Sequence, residues 1–144
     1  MIDRTILARR VAAVRDAADR IREVLPAQRE AFVADRAARE IVTLNLFVAL
    51  QECLSLAAHW LADAGWEVPG TYAHVFRALA ERGVLDHDLA VRMAAAAGLR
   101  NLIAHRYGTL DWTRIHDVAS NHIEDLLRFC DVLADAAVDG ADKS

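Results

Sequence analysis

Apolar residues recur in steps of three and four along most of the chain, and the places where that rhythm stops divide it into helices. Leu7, Val11, Val14, Ala18, Ile21 and Leu25 form one stripe, which predicts an amphipathic helix from Asp3 to Val24 stopped by Pro26. No Gly or Pro intervenes between Ala27 and Ala64. There Ile41, Leu44, Val48, Leu56, Trp60 and Leu61 predict a long helix ended by Gly65, with a break near Asp35. Gly65 to Gly70 reads as a loop, and Thr71 is placed to cap a short helix that stops at Gly83. Asp86 caps a fourth helix running toward Gly108, and Asp111 caps a fifth from Trp112 to about Val138. The expectation is an all-α, up-and-down bundle of about five helices, a single domain over residues 1–144 with 139–144 as a frayed tail.

Composition narrows the function classes. The chain has 144 residues, 55% hydrophobic, with two prolines and six glycines, enough for a packed core and too regular for a disordered segment. Cys53 and Cys130 are the only cysteines and stand far apart, which supports neither a disulfide framework nor a zinc site. His59, His74, His87, His116 and His122 are scattered without a pair on one helical face, so no metal or other cofactor is expected. No stretch reaches the ~18 uninterrupted apolar residues of a membrane span, which leads to the expectation of a cytoplasmic protein. The net charge of −4 argues against a non-specific polyanion binder. That charge is uneven: residues 1–39 hold nine arginines against six acids, while residues 108–144 hold three cations against eight. Contact with phosphate must therefore be local. Arg9, Arg10, Arg15, Arg20 and Arg22 interleave with Asp16, Asp19 and Glu23 and read as a solvated face of the first helix. Trp60, Trp66 and Trp112 read as core or loop anchors.

The densest polar cluster is Arg100-Asn101-Leu102-Ile103-Ala104-His105-Arg106-Tyr107, at the end of the fourth helix. At about 100° per residue, Asn101 and His105 share one face and Arg100 and Tyr107 another, while Arg100 and His105 stand about 140° apart. The last two converge on one ligand only if the helix end is distorted or a second copy of the chain supplies the missing group. A helix-end polar cluster bonded to Asp111 is the purely structural reading.

The Arg-x4-His-x-Tyr pattern resembles the signature of the HepT-like branch of the HEPN superfamily, toxins encoded beside minimal nucleotidyltransferase antitoxins. The resemblance spans nearly the whole chain. It takes in Gln51, Pro69-Gly70-Thr71-Tyr72, Phe76-Arg77-Ala78-Leu79 and Gly98 to Tyr107 in order. Ser55, four residues after Gln51, stands where the family pattern has an acidic residue. The resemblance implies a type VII toxin, a metal-independent endoribonuclease whose composite site forms at the interface of a homodimer or higher oligomer. Carried over residue by residue, it implies His105 as the acceptor of the 2′-hydroxyl proton and Arg100 as the counter-charge to the phosphorane. Asn101 and Arg106 are the implied substrate-binding residues, and Tyr107 the residue to which the antitoxin transfers AMP. The rival reading is a subunit of a nucleotidyltransferase complex that binds nucleotide, or serves as a scaffold, and cleaves nothing.

Overall fold

The computed structural model describes residues 2–142, and no strand occurs among them. Helix α1 (Arg4–Val24) starts where the Asp3 carboxylate accepts hydrogen bonds from the Thr5 and Ile6 amides, at 2.7 and 3.3 Å. Its stripe of Leu7, Val11, Val14, Ala17, Ala18 and Ile21 is buried. The helix ends as expected before Pro26, with Leu25 extended at ψ 117°.

The break near Asp35 is real and sharp. A short helix α2 (Arg29–Ala34) and the 28-residue α3 (Arg36–Asp63) share that one residue as joint, and the Asp35 carboxylate caps α3 through the Ala38 amide at 3.1 Å. By length and apolarity α3 would suffice to cross a membrane. Here it is the central element of the bundle, with eleven buried residues from Ala38 to Leu61. Gly65, at φ 76°, lets the Trp66 amide reach back to the Leu61 carbonyl at 2.9 Å, so the glycine stop works through its left-handed backbone. Gly83 (φ 77°) does the same for α4 (Tyr72–Glu81), with Val84 bonded to Leu79.

Helix α5 (His87–Arg106) is capped by Asp86 through the Leu89 amide at 2.8 Å. It does not run to Gly108. Arg106 leaves helical geometry at φ −136°, ψ 35°, and Tyr107–Thr109 form a single 3₁₀ turn in which Gly108 has no positive φ. The last predicted helix is two: α6 (Trp112–Asn121) and α7 (Ile123–Asp142), broken at His122 (φ −119°, ψ 0°). Packing explains the break, because α6 lies on α2 and α3 while α7 lies on α1, α3 and α5, and one straight helix cannot follow both surfaces. Seven helices therefore replace the expected five. Helix α7 reaches Asp142, into the segment read as tail; residues 143 and 144 lie outside the described residues.

The core joins the pair α1 and α3 to the pair α4 and α5 directly through α3, and α7 packs on α1, α3 and α5. Phe76 of α4 meets Phe129 of α7 edge to face, 5.4 Å between centroids at 86°. The arginines of α1 are more than a solvated face: Arg10 pairs with Glu52 at 3.0 Å, Arg15 with Asp131 at 3.0 Å, and Arg22 with Glu124. The basic first third is thus tied across to acids of α3 and α7.

Candidate functional site

Arg100 is the organised residue of the motif. It is half-buried on α5, and its Nε donates to Gln51 Oε1 of α3 at 2.8 Å. Gln51 in turn donates from Nε2 to Ser55 Oγ at 3.5 Å, so the hydroxyl at the position of the expected acid orients the glutamine and not the histidine. The Phe47 and Tyr72 ring centroids lie 5.3 and 5.1 Å from the Arg100 guanidinium carbon. A terminal nitrogen of Arg100 donates to Asn101 Oδ1 at 3.1 Å. Three elements, α3, α4 and α5, therefore fix one cation while leaving it partly open to solvent. Such a guanidinium can meet a phosphate without first being ordered.

The other motif residues are exposed. His105 has no hydrogen bond or ion pair within the described residues. Helix α5 stays helical through His105 and leaves helical geometry only at Arg106, so no distortion brings His105 round to Arg100 within the chain. Asn101 is exposed beside Arg100, and Arg106 faces a different hollow, with Leu102, Thr109 and Arg114. Asp111 spends its carboxylate on the Thr113 and Arg114 amides and does not bond the cluster.

Tyr107 is 43% exposed. Its ring rests edgewise on Trp112 (5.9 Å, 76°), and Trp112 in turn carries the Arg39 guanidinium at 5.1 Å. Although Arg100 and Tyr107 share a face in an ideal helix, the Tyr107 ring does not cover Arg100; Tyr72, from the next helix in space, does that. Sequence reasoning placed Tyr72 in a family block but gave it no role, and the aromatic residue at the start of α4 was the available signal. Phe47 was missed outright, since its position differs in no visible way from its apolar neighbours on α3. Arg36 lies beside Glu40 at 2.8 Å, and the carboxylate raises its already high pKa.

Among the described residues no cluster of three or more His, Cys, Asp or Glu is placed to hold a metal ion. The one deeply buried histidine, His116, donates from Nε2 to the Pro26 carbonyl at 2.8 Å and packs on Phe32, a structural role. Cys53 and Cys130 are buried free thiols, and burial pushes the Cys53 thiol well above the ordinary thiol range.

An all-α scaffold that braces an arginine from two neighbouring helices, with an exposed histidine five residues and an exposed tyrosine seven residues further on, has the parts of a nuclease that handles phosphodiesters with its own side chains. The chain belongs to the HepT-like ribonuclease family, whose model, described as "Ribonuclease HepT-like", matches residues 14–133. It is 26% identical over 128 residues to the mRNA nuclease HepT of Shewanella oneidensis, covering 89% of this chain and 96% of that protein. The fold superposes on the tri-AMPylated Shewanella oneidensis HEPN toxin in complex with MNT antitoxin at a TM-score of 0.83, with 26% identity over 93% of this chain and 98% of that one. A toxin–antitoxin complex with AMP-PNP matches at a TM-score of 0.83, with 25% identity over 90% of this chain and 98% of that one.

Proposed function

We propose that this chain is the toxin of a toxin–antitoxin pair, an endoribonuclease acting on RNA in the cytoplasm, with Arg100 and His105 as its catalytic pair. The observation that carries the reading is the immobilised Arg100: a helix-end cluster with no function has no need of a glutamine, two aromatic rings and a hydroxyl to hold one half-buried cation. In the reaction the 2′-hydroxyl oxygen bonds to the adjacent phosphorus. Its proton passes to an imidazole nitrogen of His105, the 5′-oxygen departs and takes up a proton, and the product ends in a 2′,3′-cyclic phosphate. Arg100 meets the extra charge on the equatorial oxygens. Asn101 and Arg106 bind the substrate backbone on either side.

Because Arg100 and His105 diverge on a regular helix, the site is completed by a second copy of the chain, in a homodimer or a higher oligomer. Its natural antagonist is a minimal nucleotidyltransferase that moves AMP from ATP to Tyr107. The phenol oxygen attacks the α-phosphorus, pyrophosphate leaves, and the phenol proton is lost. Growth on expression tests the reading: wild type arrests cells, and folded His105→Ala does not. Equal arrest by the two proteins refutes the catalytic assignment. Peptide mapping after co-expression with the transferase should find AMP, about 329 Da by the chemistry of adenylylation, on Tyr107 and none in Tyr107→Phe.

A further inference from the structure

A pair of unneutralised arginines lies past His105, on the side away from Arg100. Going round α5, which is helical through His105, Arg100 is followed by His105 about 140° on, by Leu102 about 60° further and by Leu99 about 60° beyond that. His105 thus stands between the braced arginine and a hollow of about 290 Å³ on the Leu99 and Leu102 side, closed by the 3₁₀ turn and the start of α6. Arg106 and Arg114 both line it. The Thr109 hydroxyl donates to the Arg106 carbonyl at 3.2 Å and so ties the root of that side chain where α5 ends. Six other arginines are paired with acids, whereas neither of these two guanidiniums has a hydrogen bond or ion pair among the described residues. Asp111, the only acid of the lining among the described residues, turns its carboxylate to the Thr113 and Arg114 amides. Beyond Arg114 the balance changes. The next hollow holds Asp117 and Asp125, and its Arg92 is already bonded to Asp125 at 3.0 Å.

We infer that the hollow is a subsite for one further phosphate of the RNA strand, clamped between Arg106 and Arg114. The inference rests on the ribonuclease reading and on His105 as the acceptor of the 2′-hydroxyl proton. Arg114 is its new member, and it comes from the helix after the motif. Two guanidiniums with free donors, supplied by two elements, suit the oxygens of one phosphate. The last third of the chain holds three cations against eight acids, so an attraction for phosphate there is local to this pair. The volume falls just below that of sites for drug-sized ligands, which limits the occupant to one nucleotide. Asp117 and Asp125 repel the phosphate after it. The position also sets the polarity of the strand. The 2′-hydroxyl belongs to the nucleotide on the 5′ side of the cut. With the phosphorane at Arg100 and the ribose at His105, the next backbone group past His105 is that nucleotide's own 5′-phosphate. Leu102, 36% exposed, and the half-buried Leu110 give its sugar an apolar floor.

The test first maps the cut in a longer RNA, then uses RNAs that begin at the cleaved nucleotide and carry either a 5′-phosphate or a 5′-hydroxyl. Wild type should cut the phosphorylated RNA, and the hydroxyl form should raise KM severalfold with little change in kcat. Arg114→Gln, at an exposed position, should keep its circular dichroism, show the raised KM on the phosphorylated RNA and no longer distinguish the two ends. Arg114→Lys should recover part of the distinction. Equal wild-type KM for the two RNAs overturns the inference. So does a requirement for further nucleotides upstream, which would carry the strand past Asp117. A folded Arg114→Gln protein with wild-type KM and weakened antitoxin binding makes the hollow a contact for the partner protein, and overturns it as well. A wild-type protein that cuts no RNA defeats the ribonuclease reading itself, a failure distinct from loss of the subsite alone.

Discussion

Replacing Gln51 by leucine removes one acceptor from Arg100 and leaves the arginine, its aromatic neighbours and the helix in place. The lost bond, Nε to Oε1 at 2.8 Å, is charge-assisted, a class worth about 1.5–3 kcal/mol net. Arg100 is only half-buried, so water restores part of this in the free protein, and folding stability should change by less than about 1 kcal/mol. Orientation is harder for water to replace. If about 1.4 kcal/mol of transition-state stabilisation depends on the fixed guanidinium, cleavage falls about tenfold. The loss should appear in kcat more than in KM, since the charge that Arg100 opposes grows only on the way to the phosphorane. Gln51→Glu keeps an acceptor at the same place and should recover part of the rate. The assay is single-turnover cleavage of a labelled RNA with urea unfolding alongside. Full activity in folded Gln51→Leu would show that the rings of Phe47 and Tyr72 alone seat Arg100 and that the glutamine is incidental.

Arg100→Ala and His105→Ala should each lower cleavage about 10²-fold or more with unchanged circular dichroism; wild-type rates in either folded variant remove its catalytic role. Cleavage should persist in EDTA and leave 2′,3′-cyclic ends, whereas loss on chelation and recovery with Mg²⁺ would contradict the side-chain mechanism. Phe32→Ala empties the only buried position of α2 and should cost about 3–5 kcal/mol by urea unfolding; a shift below about 1 kcal/mol would mean that α2 is not anchored through Phe32. Burial raises the Cys53 thiol pKa, so folded protein should resist iodoacetamide at pH 8 and react in urea. A thiol raised in the folded state holds its proton more tightly there, so stability from this group is intact below about pH 8.5 and declines above it. Rapid alkylation of folded protein would refute the burial argument.

The boundaries legible in the sequence were those with a dedicated residue. Asp86 and Asp111 cap where the spacing put them, Asp3 and Asp35 cap at points the spacing marked only as a start and a break, Thr71 stands at the N-cap of α4 but makes no side-chain capping bond, and Gly65 and Gly83 stop helices through positive φ. The break at His122 had no such mark. It follows from two packing surfaces that diverge in space, which a one-dimensional pattern does not carry. Gly108 misled in the opposite direction, since α5 ends two residues earlier at Arg106 without left-handed backbone. At the site, the motif residues were visible by type and spacing, and the 140° divergence of Arg100 and His105 was computable from helical geometry alone. The brace around Arg100 was not, because Phe47, Gln51 and Tyr72 come from other helices and meet it only once α3, α4 and α5 pack.

The bond from His116 to the Pro26 carbonyl joins residues ninety positions apart. Helix α2, six residues long, is too short to persist alone, and α6 lies on it, so neither settles before the other has been synthesised. Trp112 begins α6, and Tyr107 leans on Trp112. The arginine needs only α3, α4 and α5 to be seated, whereas the tyrosine's footing waits for contacts of much greater sequence separation, which form late because loop closure must be met first. On the ribosome, the brace around Arg100 of a nascent chain is thus complete before the footing of its Tyr107.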